Sequence, residues 1–403
     1  MSGRPQHCMV VHAFYPVGET RVQREALALI DRGYGVHVVC LRDKGEPATE
    51  THEGVRIHRL PVARHRGAGL FGQLIEYLTF FVLAFANLTF LHMRHRFRTI
   101  QVHNLPDFLV FCALIPKLGG TPIILDLHDL MPELFAGRAG VGMRHPVVRV
   151  TRFQEKVSCR FADHVITVTD GWRDTLIERG VPEGKVSVVM NVADSRLFSP
   201  LPAATDDNGD AFQLIYHGTF THRYGVDLII RAVDRIREEI PGIRLMLLGD
   251  GETREELVDL TRSLELCDRV DFSDDMVAAD RLPGAIRSAD VGIVPNRSNL
   301  FTDGILPTKL MEYVAMGVPV IAARTPTVAA YFDDSMVEFF EPGDSDDLAA
   351  HIRRLYRDRS RREDLSRNSS AFNRRYNWES IAERYGDLVD RLGTCGGRNG
   401  SDA

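Results

Sequence analysis

Short β-branched runs alternate with segments of helical period along almost the whole chain, and this alternation is the strongest constraint on its fold. Two strands separated by a helix-length segment cannot pair as a hairpin, so the pattern prescribes βαβ units and parallel sheets. Strands are expected at residues 8–11, 36–40, 55–59, 99–102, 123–127, 164–168 and 186–189, then at 213–216, 244–248, 269–272, 291–294 and 318–321. Between the two sets lies SPLPAATDDNGD, residues 199–210, which has the Pro, Ala and Asp content of a linker and no apolar period. A chain of 403 residues is long enough for two domains. The expected organisation is an α/β domain over 1–198, a linker over 199–210, a second α/β domain over 211–375, a closing helix over 376–392 and a frayed tail over 393–403. Two doubly wound domains of this kind place a ligand at the carboxyl ends of their sheets, in a cleft between them.

Composition excludes several classes. Hydrophobic residues make up 44% and charged residues 26%, values that do not fit a disordered, collagenous or coiled-coil chain. A net charge of −6 gives no reason to expect a nucleic-acid binder, although the charge is uneven, +5 over residues 1–200 and −11 over 201–403. The six cysteines, Cys8, Cys40, Cys112, Cys159, Cys267 and Cys395, have no CxxC spacing, so neither a zinc ribbon nor a disulfide framework is expected. A reducing, cytoplasmic compartment fits them. The opening MSGRPQHCMVV lacks the long apolar run of a secretory signal. The apolar run 77–90 is shorter than the ~20 residues of a spanning helix and contains Asn87, so a buried or surface-docked helix is expected there. Helix 74–93 followed by the cationic run 94–98 could reach the inner face of a membrane as a peripheral contact.

Three helix starts carry positive charge. In GILPTKLMEYVAMGVPV, residues 304–320, Pro307 suits the first helical position and Gly317 the end, which puts Lys309 in the first turn and Glu312 on the same face. A cation there opposes the helix dipole, whereas a bound anion would draw the backbone N–H groups, the dipole and the ammonium together. The strand 213–216 runs through His217, Gly218, Thr219 and Arg223 into a helix over 226–239. The strand 8–11 leads through Gly18 to a helix opening with Arg21 and Arg24. Together the three favour a phosphate-bearing ligand. In TPIILDLHDLMPEL, residues 121–134, His128 and Asp129 follow a strand, and Asp126 and Glu133 nearby make a metal site conceivable.

These residues are those by which the chain resembles the retaining glycosyltransferases of family 4, whose GT-B fold consists of two Rossmann-like, doubly wound domains facing each other across a cleft. FYPVGETRVQREALALIDRGYGVHVVC resembles that family's first strand, turn and helix, and GVPEGKVSVVMNVADSRLFSP the stretch closing its first domain. YHGTFTHRYGVDLIIRAV, LMLLGDGE, SADVGIVP and PTKLMEYVAMGVPVIA resemble its nucleotide-sugar elements, and YNWESIAERYGDLVDRL its closing helix. The resemblance implies that Glu312 holds the donor ribose, that Lys309 and Arg223 face the diphosphate, and that Gly18, Gly218 and Thr219 lie beside it. It further implies that Gly249 and Asp250 lie near the donor, that the backbone at Met276 meets the base, and that His128 contacts the transferred sugar. Catalytic roles thus fall to His128, Arg223 and Lys309.

The chain departs from the family pattern at Gly304, where a glutamate normally contacts the donor sugar. Asp303 or the backbone N–H groups of Gly304, Ile305 and Leu306 are expected to take that role. The family's phosphate-binding Arg and Lys fall on Thr219 and Tyr224, with Arg223 adjacent, and Asp275 stands where Gly is common. The implied function is transfer of a sugar from a nucleoside-diphosphate donor to a hydroxyl acceptor (a glycan, a lipid-linked sugar or a small molecule), with retention, no cofactor and no metal. An epimerase or phosphorylase of the same fold, or a non-catalytic nucleotide-sugar-binding partner protein, is the alternative.

Overall fold

A computed structural model describes residues 4–16, 19–62, 69–199 and 211–396. Gly18 and nearly all of the 199–210 linker lie outside them. The chain forms two compact units, Met1–Met190 with Glu379–Ala403, and Asn191–Trp378.

Unit 1 is built on an eight-stranded sheet. Its strands are β1 (Gln6–Phe14), β2 (Gly35–Leu41), β3 (Thr49–His52), β4 (Val55–Leu60), β5 (Thr99–His103), β6 (Ile123–Leu127), β7 (His164–Thr167) and β8 (Val186–Val188). Their order is β3-β4-β2-β1-β5-β6-β7-β8, parallel throughout except for β3 against β4. The winding direction reverses between β1 and β5, so the loops leaving those two strands diverge and open a crevice at their carboxyl ends. Near-continuous apolar runs such as Cys8–Val11 are buried on both faces, as a helix-covered parallel sheet requires. The helices are α1 (Thr20–Asp31), α2 (Gly69–His95), α3 (Leu114–Leu118), α4 (Met131–Ala139), α5 (Pro146–Phe161) and α6 (Asp170–Glu178).

The apolar helix is longer than the run 77–90. Gly72–His95 is long and apolar enough to cross a membrane, and it is the one such helix among the described residues. One stripe of it, Glu76, Phe80, Ala84, Leu88 and Leu91, is buried in unit 1, at the helical spacing of a core face.

Unit 2 carries a six-stranded, wholly parallel sheet of β9 (Phe212–His217), β10 (Ile243–Leu248), β11 (Val270–Phe272), β12 (Val291–Val294), β13 (Val320–Ala323) and β14 (Glu338–Phe340). The order β11-β10-β9-β12-β13-β14 places its switch point between β9 and β12. Helices α7 (Val226–Ile236), α8 (Arg254–Ser263), α9 (Leu282–Arg287), α10 (Thr308–Met316), α11 (Pro326–Tyr331), α12 (Ser345–Arg357) and α13 (Arg359–Arg375) cover it. Leu214, Tyr216, Ile229, Val233, Leu245 and Ile352 lie in one core joining strands, α7 and α12. Asp344 caps α12 by accepting from the N–H groups of Asp346 and Asp347 at 2.8 and 3.0 Å. Helix α14 (Trp378–Gly396) belongs to unit 1, where the Tyr385 hydroxyl donates to Gln101 Oε1 at 2.6 Å and Asp390 pairs with Arg32 at 2.7 Å.

Candidate functional site

The unit 2 site begins where β9 ends. Gly218 has φ +119 and touches the Lys309 side chain so closely that a Cβ there would lie 3.2 Å from Lys309 Cε and 3.3 Å from Nζ. The loop after β10 packs backbone on backbone against it: a Cβ on Gly249 would strike the Gly218 carbonyl, and one on Gly251 the Phe220 backbone. Two ladder-like bonds seal the contact, Gly218 N–H to Leu248 O at 2.9 Å and Phe220 N–H to Asp250 O at 2.9 Å. The loops carrying Gly218 and Asp250 therefore form one rigid ledge.

Helix α10 meets that ledge with its first turn. Pro307 proves to be the N-cap (φ −63, ψ 127), one position earlier than expected, and Gly317 closes the helix in the left-handed region at φ +76. Tyr313 locks the helix to β9, since its hydroxyl accepts from the His217 N–H at 3.2 Å while its ring fills the space a side chain on Gly292 would need. Asn373, on α13, donates to the Val314 carbonyl at 3.1 Å. Lys309 and Glu312 are thus fixed relative to Gly218.

Lys309 is only 8% exposed and has no salt bridge among the described residues. Its ammonium sits 4.8 Å from the Tyr216 ring centroid and 4.9 Å from that of Tyr224. Burial pushes its pKa down from 10.5 to about 8, with Glu312 opposing. The aromatic faces compensate in part, at about 0.5–2 kcal/mol per cation–π contact. The Arg223 guanidinium lies 4.9 Å from the Tyr224 ring and 5.8 Å from that of Phe301, and its Nε is buried without a hydrogen-bond partner. Two cations therefore share Tyr224, which occupies the position where the resembling family has a lysine. Glu312 Oε2 lies 3.2 Å from His217 Nε2, and burial followed by Lys309 pushes the His217 pKa down to about 3, leaving a neutral ring.

The sequence reading passed over Tyr216, His217 and Tyr224 as site residues, although all three flank Gly218 in the quoted run. Thr219 is exposed and its carbonyl accepts from the Tyr216 hydroxyl at 2.9 Å. Asp303 has one carboxylate oxygen on the Ser298 hydroxyl at 2.9 Å, while Oδ1 is buried without a partner, and burial raises its pKa. The Gly304 N–H is bonded to the Phe301 carbonyl at 3.0 Å, so of the three expected backbone donors it is already spent; Ile305 and Leu306 follow in the loop to α10. Met276 is 59% exposed in the loop after β11.

In unit 1 the charge at α1 has another use than expected. Arg21 is 5% exposed and donates to both oxygens of Asp126, at 2.8 and 3.1 Å, and to the Val189 carbonyl at 2.7 Å. Glu25 lies 3.1 Å away. A guanidinium so saturated is a structural clasp, not a phosphate arm, so Arg21 drops out of the expected anion site at this helix start. Burial alone would raise the Asp126 pKa, but Arg21 and His103 outweigh it and hold the carboxyl well below its ordinary range. Glu133 pairs instead with Arg179.

His103, Asp126 and His128 do bring one ligand atom each within 4.8 Å of one another. The Asp126 oxygens are committed to Arg21, and Oδ2 also to His103 Nδ1 at 2.8 Å, so the donor set is already filled by protons. A divalent ion there would face the guanidinium directly, and the group reads as a hydrogen-bonded network. His128 stands beside this network at the carboxyl edge of β6, half-buried, with Nδ1 covered and unpartnered. Burial lowers its pKa against the pull of Asp126 and Asp129, which favours a neutral imidazole.

Comparison with known proteins agrees with this architecture. Residues 18–191 match the family described as glycosyl transferase 4-like domain, and residues 200–372 that described as glycosyl transferases group 1. A sulfoquinovosyl transferase of Arabidopsis thaliana is 26% identical over 302 residues, 72% of this chain but only 56% of that protein, so the chain spans little more than half of that relative's length. Among solved structures, a sucrose-phosphate synthase from Thermosynechococcus elongatus superposes with a TM-score of 0.78 at 20% identity, covering 97% of this chain and 100% of that one. Anabaena HepE in complex with UDP-glucose superposes with a TM-score of 0.70 at 16% identity, covering 96% and 99%. At these identities the structural likeness speaks for the fold alone, and it is that of GT-B enzymes. With the two family matches spanning most of its length, the chain belongs to the group 1 glycosyltransferases of the family 4 type.

Proposed function

We propose that the chain moves a sugar from a nucleoside-diphosphate-sugar donor to a hydroxyl acceptor, with retention of anomeric configuration and without a metal ion. The observation that carries this reading is the buried Lys309 ammonium in the first turn of α10, where desolvation and the helix dipole both disfavour it. A diphosphate reverses both penalties at once, and Arg223, with its unpartnered Nε, supplies a second cation. HepE, of the same fold, is recorded with UDP-glucose.

In the proposed step the bond between the anomeric carbon and the β-phosphate oxygen breaks, and both electrons stay with that oxygen. Lys309, Arg223 and the α10 N–H groups stabilise the charge formed there, the work a divalent cation performs in other sites. The departing phosphate takes the acceptor hydroxyl proton on the same face, and the acceptor oxygen bonds to the anomeric carbon. Glu312 accepts from the ribose hydroxyls, and the unpartnered Asp303 Oδ1 stands in for the missing glutamate toward the sugar. A neutral His128 offers the sugar a hydrogen bond without competing for the phosphate.

Incubating the purified chain with a panel of nucleotide sugars and hydroxyl acceptors, with and without a chelator, tests this reading. Release of nucleoside diphosphate insensitive to the chelator, with product of the donor's anomeric configuration by NMR, is expected. An inverted product removes retention, and chelator-abolished turnover removes metal independence. Epimerised donor, or a sugar phosphate formed from inorganic phosphate, favours the epimerase or phosphorylase alternative.

A pH dependence accompanies the Lys309 assignment. Only the ammonium attracts phosphate, and its pKa is about 8 without ligand. Nucleoside diphosphate affinity is therefore expected to be full below pH 7 and to weaken as pH rises through 8, with proton uptake on binding near pH 8. Calorimetry in buffers of different ionisation enthalpy measures that uptake, and a flat affinity between pH 7 and pH 9 removes the lysine from the phosphate site.

A further inference from the structure

Helix α5 shows an outward face that the fold does not use. Val147, Val150, Phe153 and Val157 are 41%, 65%, 69% and 37% exposed, whereas Val148, Thr151, Glu155, Ser158 and Cys159 turn inward. At 100° per residue Val150, Phe153 and Val157 form one apolar ridge, and Arg149, Arg152, Lys156 and Arg160, all exposed, form a cationic ridge beside it. The single carboxylate of α5, Glu155, is buried and paired with Arg179 at 2.9 Å, so no negative charge faces outward. Helix α2 shows a second outward apolar stripe, with its cations gathered at its carboxyl end. Its outward stripe holds Leu74, Leu78, Val82, Phe90 and Met93 at 47–62% exposure, its only carboxylate is buried beside His12, and Arg94, Arg96 and Arg98 follow at its end. Both helices pack on the segment 107–118, α2 through Phe81 and Phe108 and α5 through Phe161 and Phe111, with ring centroids 6.0 and 5.0 Å apart. That segment itself exposes Leu118 at 76%.

We propose that the outer faces of α5 and α2 dock unit 1 onto an anionic lipid bilayer. An apolar ridge parallel to a cationic one is what a headgroup boundary accepts, since the ridge enters the acyl region while each cation meets a lipid phosphate. A second copy of the chain is disfavoured as the occupant, because a two-fold contact would bring the uncompensated cationic ridges together. A nucleic acid would leave the Val150, Phe153 and Val157 ridge against a charged backbone. The inference is independent of the donor reading, since partition to vesicles is measured without donor.

Flotation of the full chain with vesicles of phosphatidylcholine, with or without phosphatidylglycerol, tests it. Binding to the anionic vesicles alone is expected, weakening with salt. Arg152→Gln and Lys156→Gln should each lower the partition coefficient by about five-fold. Phe153→Ser and, on α2, Val82→Ser should lower it as well, and all four positions are exposed, so the fold measured by circular dichroism should stay intact. Absence of binding, binding that ignores anionic lipid, or binding unchanged in the α5 variants overturns the proposal. So does light scattering that finds a dimer which Phe153→Ser disperses.

Discussion

In Lys309→Met, sugar transfer is expected to fall by about 10²-fold or more while the folded protein becomes more stable. The loss follows from removing one preorganised donor at the oxygen where charge develops, an effect worth about 10²–10³ in kcat. The gain follows from burial. A pKa near 8 in place of 10.5 means that charging Lys309 costs the fold on the order of 3 kcal/mol at pH 7, at about 1.4 kcal/mol per pH unit. The faces of Tyr216 and Tyr224 return about 1–2 kcal/mol of that, so methionine, of similar length, should net about 1–2 kcal/mol. The sign with pH is fixed as well. Between pH 8 and 10.5 the unfolded chain binds the proton more than the folded one, so wild-type stability rises with pH and the advantage of the variant shrinks. Denaturant melts at pH 7 and pH 10, beside steady-state rates, measure both halves. A variant that is less stable and fully active would show an ordinary core lysine.

Much of this site was legible because its signals are local. Lys309 and Glu312 fall on one helix face by their spacing, and Gly218 follows a β-branched run directly. The alternation of periods likewise placed the parallel strands, with two exceptions. The antiparallel edge strand β3, TETH 49–52, is exposed or half-buried and has no apolar pattern to read, and β14 is three residues long. Helix α2, Gly69–His95, extends beyond each end of the expected 74–93, where Gln73 and Arg94 end the apolar run, and Glu76 within it is buried beside His12. The aromatic cage around Lys309 was invisible for a different reason, since Tyr216, Tyr224 and Lys309 converge only once β9 and α10 are neighbours. Arg21 misled most. Its first-turn position resembles that of an anion-binding arginine, and nothing local announces that Asp126, 105 residues on, has claimed it.

Arg21→Met is expected to have the opposite effect on stability, a loss of about 3–5 kcal/mol, because it strands the Asp126 carboxylate in the interior with only His103 to hold it. Arg21→Lys should recover part of this, since an ammonium keeps the charge but cannot span both carboxylate oxygens and the Val189 carbonyl together. The pH dependence reverses too. In the wild type the Asp126 carboxyl sits below its unfolded value, so its contribution is complete above about pH 4 and fades only in strong acid. Without the guanidinium, burial governs and raises that pKa, so the deficit of the methionine variant should be largest near pH 8 and shrink toward pH 5. Denaturant titrations at those two pH values measure the difference, and an equal deficit at both would mean that packing, not charge, holds Arg21. Two buried cations at two helix starts thus answer the same substitution with opposite signs. The cation whose loss destabilises has its anion within the fold, and the one whose loss stabilises has no salt bridge among the described residues.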